Sequence, residues 1–327
     1  MKTFSFLVAS KNNSSYIKQC LDSLIAIRQE SDEILIADES TDQTKEILKP
    51  YFERGLISYI RQDKPGILEA RRSLVVSAKK DYVFFVDADD FVKPEEFKKA
   101  REIVENTSAD LFFHNSDSVD SNGNFRRELV PFSGQLTKPL SLQEVRLVFF
   151  QGDTINNLWC KFIRRSALAS MDWTSPARIR LGEDRAISLS LAKKDLQCVY
   201  LPISTYCYRE LPQSASSKPH PGDIDDFLFL LQDSFSYLKE TGQTKLLETF
   251  SKTMIPYYIN NAIVYAYILS KDKRTFQLYR EKILASPSLI YSQKNKILHF
   301  QGTKEKLEYL SFINDLFYLP KMMKKKR

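Results

Sequence analysis

Glycine is scarce in this chain, at 9 of 327 residues, so each glycine in a motif position carries weight. No Gly-x-Gly-x-x-Gly follows the first apolar run, which disfavours a nicotinamide-binding fold. No Gly-rich loop ending in Lys-Ser or Lys-Thr supports a nucleoside triphosphatase. The four cysteines, Cys20, Cys160, Cys198 and Cys207, stand far apart and form no Cys-x-x-Cys pair. That argues against a metal cluster or a disulfide framework and fits a reducing, cytoplasmic setting. The most apolar stretch, Met254 to Leu269, contains Pro256, Asn260 and Asn261 and falls short of the roughly 20 residues a membrane span needs. The opening run Thr3 to Val8 is too short and too polar for a secretion signal. No zinc-finger spacing or RNP-like segment appears, so nucleic acid is not an expected partner. Internal repeats and low-complexity tracts are also lacking.

What is present is a chain with 43% hydrophobic and 27% charged residues, enough for one large globular domain and a smaller one. The net charge is +7, and the excess gathers in the tail Lys321-Met322-Met323-Lys324-Lys325-Lys326-Arg327. Two readings of the tail stand side by side. It is a solvated, frayed terminus, or it touches an anionic membrane surface at about 1 kcal/mol per basic residue. The second places the protein at the inner face of the cell membrane.

The first 118 residues alternate strand and helix signals. Strands are expected over 4–9, 33–37, 56–60, 82–86 and 110–114. Helices are expected over 14–27 (capped by Asn13 or Ser14), from Ser40-Thr41-Asp42 to 52, from Pro65-Gly66 to 79, and from Pro94 onward. This alternation predicts an α/β fold with a mainly parallel central sheet covered by helices on both faces. In such sheets ligands bind beyond the carboxyl ends of the strands. The loops there carry Ser10-Lys11-Asn12, Asp38-Glu39-Ser40 and Asp87-Ala88-Asp89-Asp90. Further helices are expected over 142–150 and 182–193. Residues 211–222, rich in Pro, Ser and Gly, read as a linker. After it come helical patterns over 224–240, 243–270, 272–285 and 303–318. The expected division is 1–217, an α/β domain that the resemblance described below makes the catalytic one, and 218–327, a helical C-terminal domain.

Asp87, Asp89 and Asp90 follow the apolar strand and repel one another, which a hard cation with oxygen ligands would relieve. Mn²⁺ or Mg²⁺ takes one or two carboxylates and completes its shell with water and phosphate oxygens. The alternative is an acidic loop before a helix, with Asp90 as a cap and the charges favoured by the helix dipole. Asp38 ends the second strand, where it can accept from an N–H such as the imide of uracil, or merely cap a turn. Arg71 is placed to reach a phosphate, or is a surface arginine. Glu183-Asp184 open a helix, where Asp184 can serve as a general base or as simple N-terminal helix charge.

In their order these motifs resemble the family 2 glycosyltransferases of the GT-A fold, over about residues 1–217. That family's Pro-Thr-Tyr-Asn segment is Ala9-Ser10-Lys11-Asn12 here, with Asn12 identical. Its Val-Asp-Asp-Gly-Ser-Thr-Asp is Ile36-Ala37-Asp38-Glu39-Ser40-Thr41-Asp42, and its Gly-x-x-x-Ala-Arg is Gly66-Ile67-Leu68-Glu69-Ala70-Arg71. Phe85-Val86-Asp87-Ala88-Asp89-Asp90 matches its metal motif. Asn157-Leu158-Trp159-Cys160-Lys161-Phe162 is similar to its Trp-Asn-Lys-Leu segment, Gly182-Glu183-Asp184 to its Glu-Asp motif, and Tyr206-Cys207-Tyr208-Arg209 with Ser214 to its closing Tyr-Arg and Ser pattern. Lys11, Ala37 and Glu39 depart from the family pattern near the nucleotide base.

The resemblance implies an inverting transferase moving a sugar from a nucleotide-diphosphate donor, a UDP-sugar, to a hydroxyl of a glycan, lipid-linked or wall-polymer acceptor. Ser10, Asn12, Asp38, Arg71, Asp87 and Ala88 would line the donor. Asp87 and Asp89 would hold Mn²⁺ or Mg²⁺, and Asp184 would be the base. Glu183, Asp90, Trp159, Lys161, Tyr208 and Arg209 complete the candidate site. The C-terminal helices would be an acceptor platform, a homo-oligomer interface or a plain extension. A haloacid-dehalogenase-like phosphatase also uses Asp-x-Asp, but after its first strand rather than its fourth. From another class, a catalytically silent nucleotide-sugar-binding partner of a transferase complex is the alternative.

Overall fold

The computed structural model describes residues 1–64, 66–131, 139–151, 154–171, 179–212, 218–295, 298, 300 and 302–316. Pro65, Ser214 and the basic tail 321–327 lie outside the described residues. By contacts the chain forms two compact units: Met1–Arg178 with Asp184–Pro212, and Ile179–Glu183 with Gln213–Arg327. This division differs from the expected boundary at 217/218, chiefly because the short piece before Asp184 groups with the C-terminal helices.

The first unit begins with β1 (Phe4–Ser10), α1 (Ile17–Ile27), β2 (Glu33–Asp38), α2 (Thr44–Glu53), β3 (Ser58–Arg61), α3 (Ile67–Ser77) and β4 (Tyr82–Asp87). It continues with β5 (Phe91–Val92), α4 (Pro94–Asn106), β6 (Leu111–Val119), β7 (Phe125–Leu129), β8 (Pro139–Leu140) and α5 (Leu142–Gln151). Then follow two short 3₁₀ turns, β9 (Lys161–Arg164), α6 (Arg165–Ala169), α7 (Glu183–Ala192) and β10 (Cys198–Arg209). The expected strands and helices all form, with ends displaced by a few residues.

Two helix starts differ from expectation. Neither Asn13 nor Ser14 caps α1 with its side chain; the Asn13 carbonyl accepts from Tyr16 and Ile17 N–H instead, and the helix begins at Ile17. Asp42 precedes α2 rather than joining it, and its carboxylate takes the Thr44 N–H at 3.0 Å. These donors, with Ser14 N–H, hold the Asp42 carboxyl down to about 2 against the opposing effect of partial desolvation.

The ten strands among the described residues join one sheet in the order β3-β2-β1-β4-β9-β6-β10-β5, with β7 on β6 and β8 on β10. β3, β2, β1 and β4 pair in parallel, and so do β6 and β10. β9 runs antiparallel between β4 and β6. The alternating residues Phe4, Phe6 and Val8, Ile34 and Ile36, Phe84 and Val86 share one core with α1 and α4. Strand periodicity puts Leu7, Leu35 and Phe85 on the opposite face, and α3 packs against β1 and β2. Burial on both faces is why these strands read as continuous apolar runs.

The second unit holds α8 (Asp223–Glu240), α9 (Thr244–Leu269), α10 (Lys273–Leu284), α11 (Pro287–Lys294) and α12 (Thr303–Ile313). α8 and α9 pack together, with Phe227 against Tyr258 at 6.4 Å and edge-on to Tyr265 at 5.1 Å. α11 is not among the helices expected from sequence, and α12 is shorter than expected. Among the described residues no helix is long and apolar enough to cross a membrane.

Candidate active site

The carboxyl ends of β1, β2 and β4 lie side by side, because Ala9 pairs with both Ala37 and Asp87 in parallel register. That register brings three loops together. Asn12, with φ +56, sits in the left-handed region that asparagine tolerates. Its side-chain oxygen accepts the Thr41 N–H at 2.8 Å, and its own N–H donates to Ser40 Oγ at 2.7 Å. Asn12 therefore braces the first loop to the second.

Asp38 is fully buried and well supplied with donors. Oδ1 accepts from the Ser40 hydroxyl and backbone N–H, and Oδ2 from the Tyr59 hydroxyl at 3.0 Å and Arg61 Nη1 at 3.5 Å. A nucleobase N–H reaches Asp38 only by displacing one of these, and Arg61 is the longest and most exposed of them. Ser10 is buried with its hydroxyl unpartnered. Two residues that depart from the family pattern pair with each other: Lys11 Nζ lies 3.3 Å from Glu39, whose other oxygen accepts the Gly66 N–H at 3.1 Å. Glu39 thus ties the second loop to the start of α3, where Gly66 has φ +127.

α3 carries Arg71 inward. Its guanidinium, 5% exposed, donates from Nη2 to Asp87 at 3.3 Å and from Nη1 to Asp184 Oδ1. Arg71 is thus not a surface arginine. Asp184, 17% exposed, lies in the first turn of α7, where the helix dipole favours an anion. Its Oδ2 accepts the Leu158 N–H at 3.2 Å. One arginine thereby brings the strand-four aspartate and the helix-seven aspartate together, although 97 positions separate them in sequence.

The remaining aspartates diverge. Asp90 turns inward, accepting the Tyr206 hydroxyl at 2.7 Å and the Arg209 N–H at 2.7 Å. Burial, then the charges of Asp89 and Asp87, push its carboxyl well above the usual range. Asp90 is a buried anchor; it neither caps α4 nor faces the site. Asp87 and Asp89 keep partial exposure, Ala88 is buried between them, and burial raises the Asp89 carboxyl.

Several candidates are buried and brace the loops around the site. Lys161 is fully buried and donates to the carbonyls of Ile155 and Asn157, shaping the turn that presents Leu158. Burial lowers its ammonium. Trp159 stacks on Tyr206 at 5.1 Å and on Tyr208 at 5.5 Å. Arg209 donates to the Asp89 carbonyl at 2.7 Å and to Gln19 at 2.8 Å, fixing the Asp87–Asp90 loop. Glu183 opens α7. The sequence reading missed Tyr59 and Arg61, whose one signal is a strand register that sets Arg61 opposite Asp38.

Among the described residues no three His, Cys, Asp or Glu side chains converge into a protein-only metal cage. Two partly exposed carboxylates nevertheless fit Mg²⁺ or Mn²⁺, which takes one or two carboxylates and leaves its other positions to water and phosphate.

The family model for glycosyl transferase family 2 matches residues 5–171. The chain is 27% identical over 234 residues to an uncharacterized glycosyltransferase of Bacillus subtilis, EpsJ, covering 68% of this chain and 66% of that protein. It is 22% identical over 321 residues to TarS of Staphylococcus aureus, a poly(ribitol-phosphate) β-N-acetylglucosaminyltransferase, covering 93% of this chain and 54% of that one. The chain thus spans about half to two thirds of the length of these relatives. The crystal structure of TarS residues 1–349 superposes with a TM-score of 0.63 at 18% identity, covering 92% of this chain and 93% of that one. The same TarS fragment in complex with UDP-GlcNAc superposes with a TM-score of 0.62. The fold is therefore the expected GT-A fold.

Proposed function

The chain belongs to glycosyltransferase family 2, and from that premise we propose that it transfers a sugar from a UDP-sugar to an acceptor hydroxyl with inversion at the anomeric carbon. The observation that carries the proposal is the convergence of Asp87 and Asp184 on Arg71. Asp184 is the base: it removes the acceptor proton as the hydroxyl oxygen bonds to the anomeric carbon, while the bond to the diphosphate oxygen breaks. Arg71 orients that carboxylate, and the Leu158 N–H fixes its second oxygen. Asp87 and Asp89 would hold Mn²⁺ or Mg²⁺, which when bound supplies positive charge to the leaving diphosphate. Positioning and general-base catalysis each lower the barrier by several kcal/mol.

The donor reading draws on Asp38 and on the UDP-GlcNAc complex of the TarS fragment. A uracil imide would take the place of Arg61 at Asp38. The acceptor is a glycan or wall polymer, a class suggested by TarS, which acts on poly(ribitol-phosphate).

The test is nucleotide release from a panel of UDP-, GDP- and TDP-sugars with Mn²⁺ and after chelation by EDTA. UDP release that EDTA stops and added Mn²⁺ restores is the expected result. Release from none of the panel, while UDP still binds, would favour a silent nucleotide-sugar-binding protein.

A further inference from the structure

The turn that meets Asp184 is tied down at three successive carbonyls. Lys161, the first residue of β9, is fully buried and sends its ammonium back to the carbonyls of Ile155 and Asn157. The carbonyl between them, that of Asn156, accepts the buried Ser188 hydroxyl at 2.8 Å. Ser188 stands on α7 four positions after Asp184, so the two share a face of that helix. The next N–H along the turn, that of Leu158, donates to Asp184 Oδ2 at 3.2 Å. The turn therefore grips α7 at two levels, Asp184 and Ser188. Lys161 is itself fixed by the sheet. Its strand pairs with both β4 and β6, Lys161 stands opposite Phe113, and its ammonium lies 5.6 Å from the centre of the Phe149 ring.

Taking an ammonium out of water is costly. A methionine of similar length would fill the same space without that cost. What the ammonium adds is its hold on two carbonyls. Those carbonyls flank the residue that binds Ser188, and the second immediately precedes the N–H that meets Asp184. A displacement of about 1 Å in a catalytic group costs on the order of 100-fold in rate. We propose that Lys161, assisted by Ser188, is a positioning residue for the transfer. It sets the 155–158 turn so that the Leu158 N–H holds the Asp184 carboxylate in place for the acceptor hydroxyl. The inference rests on the reading of Asp184 as the base.

The test compares the full-length chain with Lys161→Met, Lys161→Gln, Ser188→Ala and Asp184→Asn, and with Lys161→Met combined with Asp184→Asn. The readouts are kcat and KM for UDP-GlcNAc with Mn²⁺, the Kd for UDP by calorimetry, and the thermal midpoint. The expected result is a kcat about 10- to 100-fold lower in Lys161→Met, with KM and UDP affinity within about twofold of the parent. Lys161→Gln, which keeps two N–H donors on a shorter arm, falls in between. Ser188→Ala, lacking one hydrogen bond, loses about 3- to 10-fold. In the Asp184→Asn background Lys161→Met lowers the residual turnover no further, because Lys161 acts through that carboxylate. A loss that adds in full to that of Asp184→Asn marks a general structural role and overturns the inference alone. So does parental kcat in folded Lys161→Met or, should that variant not fold, parental kcat in both Lys161→Gln and Ser188→Ala. Near-parental turnover by Asp184→Asn overturns the base reading, a parent chain that turns over no donor overturns the enzyme reading, and this inference falls with either.

Discussion

Tyr206 donates its hydroxyl to Asp90 at 2.7 Å and accepts the Asp87 N–H at 3.0 Å, so one buried phenol links both ends of the aspartate motif. Removing that oxygen leaves a buried carboxylate oxygen and a backbone N–H without their partner. Tyr206→Phe should therefore destabilise the fold by about 1–3 kcal/mol, read from the urea midpoint, while keeping the stack on Trp159. An unchanged midpoint would mean that Asp90 is not anchored this way. The residue types of the motif were legible in sequence; the separate roles of its three aspartates were not. Spacing shows that carboxylates are neighbours, but the direction each takes depends on Tyr206 and Arg209, about 120 positions away. The burial of Arg71 was hidden for a related reason. Its partners, Asp87 and Asp184, lie on other elements, and helical spacing on α3 shows only that it faces inward or outward.

At the scale of elements, apolar strands between helical patterns were easy to read, and β1 to β4 follow that rule. β9 and β10 escaped it. β9 has four residues with a basic one at each end, and β10 contains Pro202 and Ser204, where its pairing with β6 shifts register. Such bulges break the period-two pattern that marks a strand.

His114 of β6 lies beside that bulge, its Nδ1 2.7 Å from the Asn115 carbonyl and 2.9 Å from Thr205 Oγ1 of β10. Burial lowers its pKa to about 4. The unfolded chain, with a histidine pKa near 6.5, binds the proton more readily, so stability falls as the pH drops from about 6.5 toward 4. Lowering the pH from 7 to 5 should cost about 2 kcal/mol through this residue. Urea midpoints at the two pH values, compared with those of His114→Asn, measure it; equal slopes in both proteins would rule His114 out as the source.

For the whole molecule, family membership was legible because motifs spread over the first two hundred residues keep their order. The helical unit was legible as helices, while the ion pair of Arg180 with Asp223 inside it was not, because in sequence both resemble ordinary surface charge. Under the proposed function Asp184 is the base of a UDP-sugar transferase, while the nucleotide is held by other residues, Asp38 among them. The most direct measurement is donor turnover by Asp184→Asn with UDP-GlcNAc and Mn²⁺, beside UDP affinity by calorimetry. The predicted result is turnover lower by about 10²–10⁴, the usual contribution of a general base, with UDP affinity retained. Near-parental turnover in a variant that binds UDP normally would contradict it.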